Sequence, residues 1–132
     1  MQRIRALFLG TPAIAVPSLE ALTEVADVVG VICQPDRPAG RGLTLAAPPV
    51  KERALALGLA VTQREKIRTP DFAAWMKAQN ADVALVIAYG RILPKAILEA
   101  PRHGCMNLHA SLLPKYRGAA PITWAIAHGE VE

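Results

Sequence analysis

Apolar residues fall in short blocks separated by polar, Gly-bearing or Pro-bearing breaks, and the spacing inside the blocks changes along the chain. Ile4 to Leu9 is a brief apolar run ended by Gly10-Thr11-Pro12, which predicts a strand and a turn. From Ile14 to Val25 the spacing is helical, with Leu19, Leu22 and Val25 on one face and Pro17 confined to the first turn. Val28 to Cys33 predicts a second strand, rich in β-branched residues. Six Pro and Gly residues between Pro35 and Pro49 predict a long loop without a regular element.

A helix from Pro49 to Leu57 closes at Gly58, with Pro at its start and Gly past its end. A short strand at Ala60 to Thr62 follows. Thr69-Pro70-Asp71 supplies a cap, a first-turn proline and an early carboxylate for a helix reaching Gln79. Asp82 to Ala88 reads as a strand buried on both faces. A short helix at Pro94 to Ala100, a strand at Gly104 to His109 and a helix from Ala120 to His128 complete the prediction. Strands alternating with helices imply an α/β fold, Rossmann-like, with a largely parallel sheet and right-handed crossovers.

Length and composition narrow this picture. At 132 residues, 52% hydrophobic, the chain can bury one core but not two. No apolar run approaches the ~20 residues that cross a bilayer. No leader-like segment follows Met1, so a cytoplasmic location is expected. Cys33 and Cys105 sit in strand-like segments and are expected to be buried free thiols; no zinc spacing appears. The net charge of +4 favours a polyanionic partner without identifying one. The surplus gathers between Arg37 and Arg68, with few carboxylates nearby in sequence.

Ligands of such sheets gather at the carboxyl ends of the strands. Three segments fall there: Gly10-Thr11-Pro12, Ala88 to Pro94, and Asn107 to Gly118. The first turn is not G-x-G-x-x-G and no P-loop is present, which argues against a nicotinamide or a nucleoside triphosphate. Asn107 and His109, two apart in an extended segment, share one face. An amide can hold a developing oxyanion and an imidazole can move a proton, chemistry suited to acyl or formyl transfer. The alternative is that the pair only closes hydrogen bonds at a strand end.

The run Asn107-Leu108-His109-Ala110-Ser111-Leu112-Leu113-Pro114-Lys115-Tyr116-Arg117-Gly118 resembles the signature of the folate-dependent formyltransferases. Gln34-Pro35-Asp36-Arg37-Pro38-Ala39-Gly40-Arg41-Gly42 resembles a loop of the branch acting on methionyl-tRNA. Ala88-Tyr89-Gly90-Arg91-Ile92-Leu93-Pro94 resembles that branch's folate-side loop. The resemblance implies formyl transfer from 10-formyltetrahydrofolate to the α-amine of initiator methionyl-tRNA, without a metal. It implies Asn107 and His109 as catalytic residues. Tyr89, Gly90, Arg91, Ile92, Ser111, Leu112, Leu113 and Pro114 are implied as donor-binding residues, and Arg37 and Arg41 as tRNA contacts. Arg91 and Arg117 each suit two roles, meeting an anion or pinning a loop to a carbonyl. Leu43 and Thr44 stand where the branch often carries two basic residues.

The family's catalytic aspartate is expected beyond Glu132. The chain thus reads as the N-terminal portion of a formyltransferase catalytic domain, truncated and lacking the C-terminal tRNA-binding domain. These 132 residues alone are expected to be inactive, and self-association is expected to cover the open sheet edge. Alternative acceptors within the resemblance are an amino-sugar nucleotide or glycinamide ribonucleotide. A non-catalytic folate- or RNA-binding remnant is the reading from another class.

Overall fold

A computed structural model describes residues 3–39, 44–110 and 122–127, with the backbone alone at 39, 109, 110 and 122–127. Its spine is β1 (Ile4–Gly10), in which Ala6 to Gly10 are all buried. Nothing polar interrupts this run, as expected of a strand covered on both faces. Parallel neighbours flank it: β2 (Ala26–Cys33) on one side and β6 (Val83–Ile87) on the other. Short β5 (Val61–Gln63) extends the β2 side, and β7 (Cys105–Ala110) pairs with β6. The last strand, β8 (Ile122–Ala127), closes the order β5-β2-β1-β6-β7-β8.

Strand alternation divides the core into two layers. Leu7, Leu9, Ile32, Ala84, Val86 and Cys105 face one side, against α3 (Pro70–Ala78) and α4 (Lys95–Leu98). Phe8, Val31, Cys33, Leu85, Ile87 and Leu108 face the other, against α1 (Val16–Val25) and α2 (Pro49–Ala56). The α3 cap is the expected one: Thr69 Oγ1 accepts from the Phe72 N–H at 3.1 Å. Past α2, Gly58 takes the left-handed conformation, φ +78°. Of the expected α1 stripe, Leu19 is buried and Leu22 packs partly, but Val25 is 70% exposed. The helix passes into β2 at Ala26 without a loop, which leaves Val25 at the rim.

Two expectations are overturned. Residues 122–127 form a strand, not a helix, and pair antiparallel with β7, His109 opposite Thr123 and Asn107 opposite Ala125. Ile122, Trp124 and Ile126 alternate with smaller residues, a period of two that also fits a strand. Pairing with β7 decides between the readings. The Pro/Gly-rich stretch also carries structure: β3 (Arg37–Ala39) and β4 (Thr44–Ala46) form an antiparallel ribbon apart from the main sheet. A two-stranded ribbon has free outer edges, so Pro38 needs no ladder donor there.

Gly10 ends β1 where three layers converge. A Cβ there would lie 2.8 Å from Phe8 Cε2 and 2.9 Å from the Ile87 carbonyl oxygen. Gly10→Ala is expected to lower unfolding free energy by about 1–3 kcal/mol through overpacking. Urea denaturation followed by circular dichroism checks this; an unchanged midpoint would show that the end of β1 has room to spare.

Candidate functional site

The chain runs from β1 to β2 and β5 on one side and then crosses back to β6 on the other, so the carboxyl ends of these strands open a crevice at the switch point. Three segments meet there: Thr11-Pro12 after β1, Gln34 to Arg37 after β2, and Ala88 to Gly90 after β6. With Ala46 to Pro48 they line a cleft of about 500 Å³. Its rear wall is a hydrogen-bonded knot. Thr11 Oγ1 donates to the Tyr89 carbonyl at 2.8 Å and accepts from the Gln34 N–H at 3.3 Å. Gln34 Nε2 donates to the same carbonyl at 3.2 Å.

The knot continues outward. Gln63 Nε2 donates to the Gln34 carbonyl at 3.0 Å and to Asp36 Oδ1 at 2.6 Å. Lys51 Nζ closes on Asp36 at 3.2 Å. The Gln63 and Lys51 hydrogen bonds hold the Asp36 carboxyl below its usual range. Asp36 directly precedes the ribbon, so this cluster anchors the ribbon's base.

The loop after β6 holds unusual backbone. Ala88 has φ +51° and Gly90 φ +101°. A Cβ on Gly90 would stand 2.9 Å from Gln34 Nε2. Gly90 is therefore required both for its conformation and for its contact with Gln34. The Tyr89 ring is buried in the α3/α4 layer, 2% exposed, and burial raises its hydroxyl above the ordinary value. Its hydroxyl and Gln34 Oε1 have no partner among the described residues. Arg91 donates to the Glu65 carbonyl, so it pins one loop to another.

Asn107 is partly buried in the middle of β7, paired with Val86 on one side and Ala125 on the other. It lines a second cleft of about 250 Å³ with Arg91, Ile92, Leu93, Leu98 and Cys105. Ile92 is 83% exposed beside it. His109 follows two residues on along unbroken strand, so alternation puts its position on the Asn107 side. Arg37 is exposed on the ribbon and lines the larger cleft. Arg41, Ser111, Leu112, Leu113 and Pro114 lie outside the described residues, as do Tyr116 and Arg117.

The chain thus brings Tyr89 and Gly90 to one cleft with Arg37, and Arg91 and Ile92 to the other with Asn107. Three of the basic residues between Arg37 and Arg68 meet carboxylates, two of them 15 or more residues away in sequence. Lys51 pairs with Asp36, Arg53 with Glu20 and Arg64 with Asp71. Arg64 also lies over the Phe72 and Trp75 rings. The surplus charge there is less free than the local sequence implies. Gln34, Gln63 and Asp36 were not foreseen as a cluster. One signal was available for Gln34: it is a polar residue directly after a buried strand, where strands deliver site residues. Among the described residues, no three His, Cys, Asp or Glu side chains gather to hold a metal ion, and no helix is long and apolar enough to cross a membrane.

Residues 3–132 match the family described as formyl transferase. The methionyl-tRNA formyltransferase of Sorangium cellulosum is 78% identical over 129 residues, 98% of this chain and 42% of that protein. That of Myxococcus xanthus is 59% identical over 132 residues, 100% of this chain and 42% of that protein. The chain therefore spans under half the length of these curated relatives. Among solved structures, glycinamide ribonucleotide transformylase 1 from Symbiobacterium toebii superposes with a TM-score of 0.69 at 20% identity. The match covers 98% of this chain and 68% of that one, a likeness of fold.

Burial raises the Cys33 thiol to about 11 and the Cys105 thiol to about 12. Both stay protonated at pH 8, so iodoacetamide is expected to label them only after unfolding; rapid labelling of the native protein, read by mass spectrometry, would contradict this. For Asp36 the lowered value means its bonds stabilise the fold above the ordinary carboxylate pKa of ~3.9 and are lost as pH falls through the folded value. Asp36→Asn should accordingly flatten the acid limb of a stability-against-pH curve.

Proposed function

Because the chain belongs to the formyl transferase family, we propose that it supplies the N-terminal part of a catalytic domain that carries a formyl group from 10-formyltetrahydrofolate to the α-amino group of initiator methionyl-tRNA. The observation that carries this reading is the 78% identity to a methionyl-tRNA formyltransferase across nearly the whole chain. The geometry is consistent with it. We assign the donor to the smaller cleft, where Ile92 offers an apolar face and Asn107 a polar edge, with Tyr89 and Gly90 just before it in the chain. When bound, the donor supplies the formyl group on a nitrogen.

The protein's own part follows from chemistry. A neutral amine attacking the formyl carbon builds negative charge on the formyl oxygen. Asn107 donates its side-chain amide to that charge from a strand paired on both sides, so little reorganisation is needed. His109 moves a proton between the amine and the leaving nitrogen, a task for which an imidazole is the usual side chain. Arg91, held to the Glu65 carbonyl, shapes the wall of the donor cleft. Ser111, Leu112, Leu113 and Pro114 belong to the donor side of this proposal, and Arg37 and Arg41 to the tRNA side. The setting is translation initiation in the cytoplasm.

A formylation assay on the full-length protein tests the reading. Formyl transfer to initiator methionyl-tRNA is expected; transfer to an amino-sugar nucleotide or glycinamide ribonucleotide instead would overturn it. In the same assay Asn107→Ala should lower kcat by about 10²–10³-fold, the usual loss for one oxyanion donor. Its donor KM should change far less.

A further inference from the structure

The Tyr89 carbonyl receives two side-chain donors from different strand ends, Thr11 after β1 and Gln34 after β2. A trans peptide points its C=O and N–H in opposite directions. Holding the Tyr89 oxygen inward therefore fixes where the Gly90 N–H points and how the loop through Arg91 and Ile92 leaves β6. The same Gln34 stands two residues before Asp36, and its own carbonyl is held by Gln63, which also holds Asp36 at the base of the ribbon. Gln34 is thus the one side chain of this knot that touches the loop after β6 while its backbone is tied to the ribbon. It is 8% exposed, and its amide lies against Gly90.

We propose that Gln34 is a positioning residue that couples the ribbon to the donor loop, with Thr11 as its support. Displacing the base of the ribbon shifts Gln34, takes one of the two donors from the Tyr89 carbonyl and loosens the Gly90 peptide. The ribbon, which offers the exposed Arg37, and the donor loop then respond to one another's ligands. This rests on the donor-binding reading proposed above.

The test measures binding of 5,10-dideazatetrahydrofolate, an unreactive folate analogue, to the full-length protein by calorimetry, with thermal unfolding beside it. Gln34→Met keeps the volume and loses the donor; Gln34→Glu keeps an oxygen and loses the same donor. Both are expected to weaken binding by about 5–10-fold, within the usual range of coupling between sites. Thr11→Val should do likewise, whereas Thr11→Ser, which restores the hydroxyl, should bind as the parent does. Asp36→Asn should weaken binding in the parent and have no further effect in the Gln34→Met background. Parent-like binding by Gln34→Met, or additive losses in the double variant, would overturn the coupling and leave the donor reading standing. Failure of the parent to bind the analogue would overturn both. Should the Gln34 variants not fold, a Thr11→Val protein that binds as tightly as Thr11→Ser would overturn the coupling by itself.

Discussion

Burying β1 on both faces is the constraint from which the site follows. Parallel neighbours must come from chain that has crossed over a layer of helices. The chain meets this by running one way to β2 and β5 and then crossing back to β6 on the other side. At the carboxyl ends those two directions part, and the backbone groups there have no ladder partner. Buried carbonyls without partners are costly, so side chains must supply the donors. Thr11 and Gln34 do so for Tyr89. The crevice and its wall are thus two consequences of one topology.

The same wall supports backbone that is unfavourable alone. A residue such as Ala88 held at positive φ costs of order 1–3 kcal/mol. Two hydrogen bonds to the next carbonyl contribute roughly 1 kcal/mol each. The two effects are of similar size, so the loop's shape depends on the knot and not on its own preferences. Gly90 removes what would be a further conflict, since any side chain there would meet both a positive φ and Gln34.

Much of this was legible along the chain. The strands from Ile4, Val28, Asp82 and Gly104 announced themselves because burial on both faces, or on one with strict alternation, leaves a clear apolar trace. The caps at Thr69 and Gly58 were local chemistry and were read as such. The strand at Ile122–Ala127 was missed because its short apolar run fits two periods, and the choice is made by pairing with β7, which no local window contains. The β3–β4 ribbon was hidden by prolines that disfavour a central strand but are harmless in an isolated pair. The Gln34–Gln63–Asp36–Lys51 cluster was illegible for a simpler reason. Its members are up to 29 residues apart, and the one local signal, a polar Gln34 directly after a buried strand, does not name its partners.

With Asn107 as the proposed oxyanion donor, its placement separates two demands. An oxyanion donor gains most when its position is set before the reaction, so that no binding energy is spent on ordering it. A strand paired on both sides meets that demand, and β7 has β6 on one side and β8 on the other. Recognition of a large, deformable polyanion asks for the opposite: a projecting element that adjusts its angle. In the proposed reading the ribbon takes that part: among the described residues its two strands pair only with each other, and side chains tie its base to the sheet. The side-chain knot runs from the base of the ribbon to the loop after β6 and not to the Asn107 strand, so in the proposed coupling that loop is the element that responds when the ribbon moves.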